Sequence, residues 1–63
     1  MTFEEAVYNI LPQATKVRVK ETGKVLLVRL KKLRKDEKKD EKDMILLKLD
    51  DGTWYTNEEV EMV

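Results

Sequence analysis

With 63 residues and neither cysteine nor histidine, this chain has to be stabilised by apolar packing alone. A chain of this length buries only about 60% of its unfolded surface, which limits it to a single domain over residues 1–63. Disulfides or Cys/His metal sites usually stabilise domains this small, and both need residue types that are missing here. The sequence therefore predicts one packed domain with no metal site and no cofactor.

The same two absences argue against catalysis. Histidine is the usual general base and cysteine the commonest strong nucleophile, so the familiar catalytic triads cannot be assembled. Catalysis by carboxylates or lysine would need a pocket, and a barrel of this size is filled by its own side chains. We predict that the protein is not an enzyme.

No stretch of the sequence approaches the roughly 20 apolar residues that span a bilayer. The first five residues include Glu4 and Glu5, where a signal peptide would be basic. We therefore predict a cytoplasmic protein that does not contact a membrane.

The formal net charge is zero, but the charges are sorted along the chain. All 13 basic residues lie between Lys16 and Lys48 together with six acidic ones, so this region carries a charge of +7. The two ends carry the balancing −7. Such sorting affects partner attraction once the fold brings the segments together.

The first element is predicted to be a helix over residues 3–11. Thr2 and Glu5 have the spacing of a capping box, and Phe3, Val7 and Ile10 follow at helical intervals. Pro12 disfavours helical geometry at the preceding residue and ends the helix.

Beyond Thr15 the apolar period changes to two, which predicts β-strands. Turn signals at Thr22-Gly23 and Asp51-Gly52, with a tight turn at 57–59, separate the later strands. The predicted strands cover residues 15–20, 24–33, 44–49, 53–56 and 60–63. The chain is thus mostly β, an α+β domain with its helix first.

Residues 34–43, RKDEKKDEKD, contain five basic, five acidic and no apolar residues. They fit either a solvated loop or an extension of the strands into a charged arm, and we favour the loop.

The second strand is apolar on both faces over residues 25–28, and its alternation slips between Leu30 and Leu33, which indicates a bulge there. A second apolar face is predicted from Val25, Leu27, Met44 and Leu46. We expect the helix stripe to cover this face. The alternatives are a second copy of the chain, giving a homodimer, or a target protein.

Four strands, a tight turn and a fifth short strand resemble the element order of SH3-like barrels of the Tudor and KOW type. The sequence from Leu47 to Tyr55, with its Asp51-Gly52 hairpin, carries this resemblance together with the acidic turn before Val60. The resemblance covers residues 15–63 and implies a five-stranded antiparallel barrel that recognises its ligand on the barrel surface. It does not extend to the aromatic cage of methyl-lysine readers, because residues 20–24 contain no aromatic.

The leading functional interpretation is a protein-interaction module, an adaptor or an inhibitor that occludes a larger partner. Its candidate partner-binding residues are Trp54, Tyr55, Met44 and Leu46. The alternative is a nucleic-acid-binding module that uses the basic hairpin of the first two strands. A solvated face or an acidic protein partner would also account for these cations. The candidate cations are Lys16, Arg18, Lys20, Arg29, Lys31, Lys32 and Arg34, with Lys35 beside them.

Overall fold

The computed structural model of this protein describes residues 1–34 and 44–63. The elements in these ranges are α1 (Phe3–Asn9), β1 (Lys16–Val19), β2 (Val25–Arg34), β3 (Met44–Leu49), β4 (Trp54–Thr56) and β5 (Val60–Met62). The predicted mostly β class, with one short helix ahead of five antiparallel strands, is confirmed within these ranges. Arg34, predicted as the first residue of the charged loop at 34–43, is instead the last residue of β2. The rest of that loop, including Lys35, lies outside the described residues.

The helix begins at the predicted capping box. The Glu5 N–H donates to Thr2 Oγ1 over 3.2 Å, and the Thr2 N–H donates to Glu5 Oε1 over 3.4 Å. The helix ends at Asn9, earlier than predicted, because Ile10 adopts extended backbone and its side chain turns into the core. Since so short a helix is unstable alone, it depends on this packing.

The strands of the sheet lie in the order β4-β3-β2-β1-β5. β2 pairs with β1 through its first residues and with β3 from Val28 onward. The β2–β3 register shifts between Val28 and Leu30, so the bulge precedes the predicted position between Leu30 and Leu33. Because the bulge adds one residue, Leu30 lies on the opposite side of the sheet from Val28.

The core lies between α1 and one side of the β2–β3–β4 ladder, which we call the inner face. The residues of the inner face are Val28, Lys31, Leu33, Ile45, Leu47, Leu49 and Tyr55, of which Leu33 remains exposed. The three β3 residues of this face are buried with Ala6 and Ile10 of the helical segment, and the cluster continues through Val17, Val19, Val28 and Val60. The expectation that the helix covers Val25, Leu27, Met44 and Leu46 is therefore wrong. Met44 and Leu46 alternate to the other side of β3, and Val25 and Leu27 pair with the exposed Arg18 and Lys16 of β1.

A closed barrel is not confirmed, because within the described ranges β4 and β5 each lie at an edge of the sheet. The turn at residues 57–59 and the N-terminus form hydrogen bonds with backbone groups that a β4–β5 ladder would use. The Thr56 N–H donates to Glu59 Oε1 over 3.0 Å, and the Val60 carbonyl accepts from the Met1 amino group over 3.4 Å. Between the two edges the buried Asn57 accepts from the Ile45 N–H and donates to the Met1 carbonyl, each over 3.0 Å.

The predicted hairpin at Asp51-Gly52 is confirmed. Gly52 has φ +79°, a conformation that L side chains rarely adopt, and its N–H donates to the Leu49 carbonyl over 2.9 Å. The Leu49 N–H then donates to the Thr53 carbonyl over 3.1 Å and closes the loop. This turn fixes the register that places Trp54 opposite Lys48.

Candidate functional site

The side of the β2–β3–β4 ladder that faces away from the helix is the strongest candidate for a binding surface. Directly paired residues project to the same side of a sheet, so the register defines three rows of side chains. We call their eight members the outer face: Leu30, Lys48 and Trp54; Lys32, Leu46 and Thr56; Arg34 and Met44.

The apolar side chains of the outer face are only partly covered. Leu30 is 49% exposed and Trp54 44% exposed, while Met44 and Leu46 are half-buried among their sheet neighbours. Each of these side chains has a cation as a direct cross-strand partner. Partly exposed apolar side chains grouped on one surface are typical of interaction sites.

The outer face carries three positive charges, on Lys32, Arg34 and Lys48. None of its eight members is acidic, and no ion pair joins these cations to a carboxylate among the residues that the structure describes. Arg34 Nη2 approaches Met44 Sδ at 3.4 Å, so this cation lies along the apolar surface. The arrangement therefore favours a ligand that is both negatively charged and apolar.

Three of the four predicted partner-binding residues, Met44, Leu46 and Trp54, share the outer face. Tyr55 points the other way, as strand alternation requires, and packs against the core. Its hydroxyl donates to Asp51 Oδ2 over 2.7 Å. This hydrogen bond raises the pKa of Tyr55 above its ordinary value and makes the residue part of the hairpin structure.

The predicted nucleic-acid residues do not form one basic surface. Lys32 and Arg34 belong to the outer face, whereas Lys16 and Arg18 lie on the exposed side of β1. Several members of the predicted set are close to acidic groups. Arg18 pairs with Glu61 at 3.5 Å, Arg29 pairs with Asp50 at 3.1 Å, and Lys20 lines a pocket with Glu21, Glu58 and Glu59.

Lys31 differs from the rest of that predicted set because its ammonium group donates hydrogen bonds to carbonyls at the end of the helix. Lys31 Nζ donates to the carbonyl of Val7 over 3.0 Å and to that of Ile10 over 2.9 Å. The last carbonyls of a helix lack partners within the helix and attract positive charge. Lys31 therefore compensates for a last turn that contains no basic residue of its own.

A pocket of about 380 Å³ opens beside the first row of the outer face, at the bulge of β2. Leu30 and Lys48 belong to both the pocket and the outer face, and Arg29, Asp50 and Gln13 line the other walls. Gln13 has φ +66°, an uncommon conformation for a residue other than glycine, and its N–H donates to the Val28 carbonyl over 2.6 Å. This hydrogen bond holds the α1–β1 connection against the bulge.

Sequence reasoning missed three members of this surface, Leu30, Lys48 and Thr56. Lys48 and Thr56 were detectable, because they follow Leu46 and Trp54 at the interval of two that keeps a strand residue on the same face. Leu30 was not, because its side depends on where the bulge interrupts the alternation, and several positions satisfy the apolar pattern equally.

The regions that the structure describes contain neither a cluster of metal-binding side chains nor a membrane-spanning helix. In residues 1–34 and 44–63, no three acidic side chains come together in a way that could hold a metal ion. No helix of these ranges is long and apolar enough to cross a bilayer.

Comparison with protein-family models, curated proteins and solved structures finds no match to this chain.

Proposed function

We propose that this protein is a non-enzymatic interaction module whose outer face binds an acidic and partly apolar segment of a larger protein. The observation that carries the proposal is the register that groups Leu30, Leu46 and Trp54 with three cations on one surface. Binding there would let a chain of this size act as an adaptor, or as an inhibitor that occludes its partner.

The composition of the outer face favours a protein partner. Its apolar members are mainly the aliphatic Leu30, Met44 and Leu46, which gain by burying apolar side chains of a partner. Lys32, Arg34 and Lys48 add long-range attraction toward acidic surfaces and repel basic ones. Acidic and apolar side chains within one segment would satisfy both requirements together.

The proposal includes membership of the SH3-like barrels as a variant with an open side. Two features support it: the element order, with a tight turn between the fourth and fifth strands, and a bulged β2 shared by two ladders. In this variant Met1 and Asn57 bridge the space between the β4 and β5 edges. Ligand binding on an outward sheet surface is what the resemblance implies.

Panning random phage-displayed peptides against the immobilised protein tests the docking function. We expect the enriched peptides to combine Asp or Glu with leucine, isoleucine or aromatic residues. The test variant is Lys32→Glu on the outer face, and the matched control is Lys16→Glu on β1, which changes the net charge equally. Binding of a selected peptide should fall at least tenfold more in the first variant, because repulsion then acts at the contact. Failure to enrich peptides, or equal losses in both variants, would contradict the proposal.

Nucleic-acid binding is a second candidate, favoured by one observation. Trp54 lies directly opposite Lys48, so an aromatic ring and a cation stand side by side on the outer face. Single-stranded nucleic acids bind to such pairs by base stacking and backbone contact. The expected signature is steeply salt-dependent binding of single-stranded DNA or RNA that Trp54→Ala weakens by about tenfold, measured by mobility shift across a salt series. Absence of binding at low salt would eliminate this candidate.

A further inference from the structure

Resting on the proposed docking function, we propose that the pocket at the β2 bulge anchors the partner by taking the side-chain carboxylate of a glutamate or aspartate. The pocket adjoins the outer face, because Leu30 and Lys48 line both. Its volume of about 380 Å³ lies within the range of small-ligand clefts. A partner segment lying across the outer face can therefore place a side chain in the pocket.

The charges that line the pocket select for an anion. Arg29 and Lys48 contribute two positive charges and Asp50 one negative charge. Arg29 Nη1 donates one hydrogen bond to Asp50 Oδ1 over 3.1 Å. A guanidinium has four further N–H donors. Lys48 has no ion-pair partner within residues 1–34 and 44–63. An incoming carboxylate would pair with Lys48 without breaking the Arg29–Asp50 contact.

The walls also match the stem of an acidic side chain. Leu30 lines the pocket with exposed aliphatic surface, against which methylene groups can pack. Gln13 is held to the Val28 carbonyl, which fixes another part of the lining. A pocket formed before binding loses less entropy on binding.

The pocket favours a side-chain carboxylate over the carboxylate at a chain terminus. Capture of a chain terminus relies on free backbone N–H groups that converge on it. Here the N–H groups of Gln13, Leu49 and Gly52 already donate to the carbonyls of Val28, Thr53 and Leu49. The side-chain donors of Arg29, Lys48 and Gln13 suit a carboxylate that enters on a flexible stem.

Titration of the ¹⁵N-labelled protein with N-acetylglutamate α-amide, followed by NMR, tests the subsite separately from the docking face. This probe carries one side-chain carboxylate and no apolar segment. N-acetylglutaminamide is its neutral counterpart. We expect saturable shifts, with a Kd of about millimolar, centred on the amides of Gln13, Leu30, Leu49 and Gly52. The neutral probe should bind about tenfold more weakly, because it lacks the charge-assisted hydrogen bond.

Two variants complete the test. Lys48→Met keeps the aliphatic stem and should weaken binding of the acidic probe about tenfold. The control Lys20→Met, in the β1–β2 turn, should leave the affinity for this probe unchanged. Equal shifts with both probes, or an unchanged affinity in Lys48→Met, would overturn the subsite even where selected peptides still bind the outer face. Tighter binding of N-acetylleucine, whose carboxylate mimics a chain terminus, would overturn the side-chain assignment. Binding of the acidic probe without any peptide selection would instead contradict the docking function.

Discussion

The two faces of the β2–β3–β4 ladder are built from similar residues but have different surroundings. On β3, Ile45, Leu47 and Leu49 on the inner face are buried, whereas Met44 and Leu46 on the outer face are half-buried. On β2, two adjacent lysines likewise lie on opposite faces. Lys31 on the inner face donates to the Val7 and Ile10 carbonyls, and Lys32 on the outer face lies across from Leu46. Residue type alone therefore does not distinguish the core side of this sheet from its exposed side. The helix makes the distinction by covering one face.

The strongest test of this contrast compares Leu47→Ala with Leu46→Ala, neighbours on opposite faces of β3. Leu47 is fully buried, so its truncation should lower the free energy of unfolding by about 2 to 5 kcal/mol, enough to unfold a domain of this size. Leu46→Ala should cost about 1 kcal/mol or less and weaken binding of selected peptides. Urea denaturation and peptide affinity measure the two effects. Similar stability losses in both variants would show that the outer face is also core.

Asn57→Ala tests whether polar contacts at the end of β3 hold the inner face in place. The substitution leaves the Ile45 N–H and the Met1 carbonyl without their partner in a buried region. Such a loss should cost about 1 to 3 kcal/mol in urea denaturation, with no change in peptide affinity. Asn57→Asp is the informative second variant, because it keeps an acceptor for Ile45 but cannot donate to Met1. Equal stability of all three proteins would remove Asn57 from this role.

Lys31→Met and Lys32→Met compare adjacent lysines on opposite faces of β2. Lys31→Met removes two hydrogen bonds to helix carbonyls and should cost about 1 to 2 kcal/mol of stability. Lys32→Met should change stability by less than about 0.5 kcal/mol and weaken the binding of selected acidic peptides. Thermal unfolding and peptide affinity separate the two outcomes. A drop in peptide affinity with Lys31→Met at full stability would place that lysine in the interface after all.

The smallest effect is expected from the carboxylate that joins the β3–β4 hairpin to Tyr55. Asp51 accepts from the Thr53 N–H and the Tyr55 hydroxyl, and these hydrogen bonds hold its pKa below the ordinary value of 3.8. A lowered pKa in the folded state gives stability that is present above pH 3.8 and is lost as the pH falls through the folded-state pKa. The pKa of Tyr55 is raised in the folded state, so this group stabilises the fold below pH 10.0. That stabilisation is lost as the pH rises beyond 10.0.

Urea midpoints of the wild-type protein and Asp51→Asn across pH check this contribution. The wild-type advantage should be present at neutral pH and shrink below pH 3.8. A constant difference across the acid range would assign the effect to the lost hydrogen-bond geometry and not to the charge. Either way, peptide affinity at neutral pH should stay the same, because Asp51 lies outside the outer face.

Local patterns in the sequence were sufficient for most of the secondary structure. The capping box at Thr2 and Glu5 predicted where the helix begins, and alternation predicted the bounds of β3 as observed. The Asp51-Gly52 turn predicted the β3–β4 hairpin because few residues besides glycine adopt the φ that this turn needs. These features depend on interactions between residues close in sequence, which a single chain displays directly.

Contacts between segments that are distant in sequence determined which face of the sheet became the core and which side chains share the other face. The sequence showed that β2 and β3 are apolar on both sides, but only the docking of Ala6 and Ile10 determined which side became the core. The bulge next to Val28 determined that Leu30 joined Leu46 and Trp54 on the outer face. Lys31 became a partner of the helix because α1 ends above β2, far from it in sequence. Alternation assigns side chains to two faces, but it carries no information about which face another element will cover.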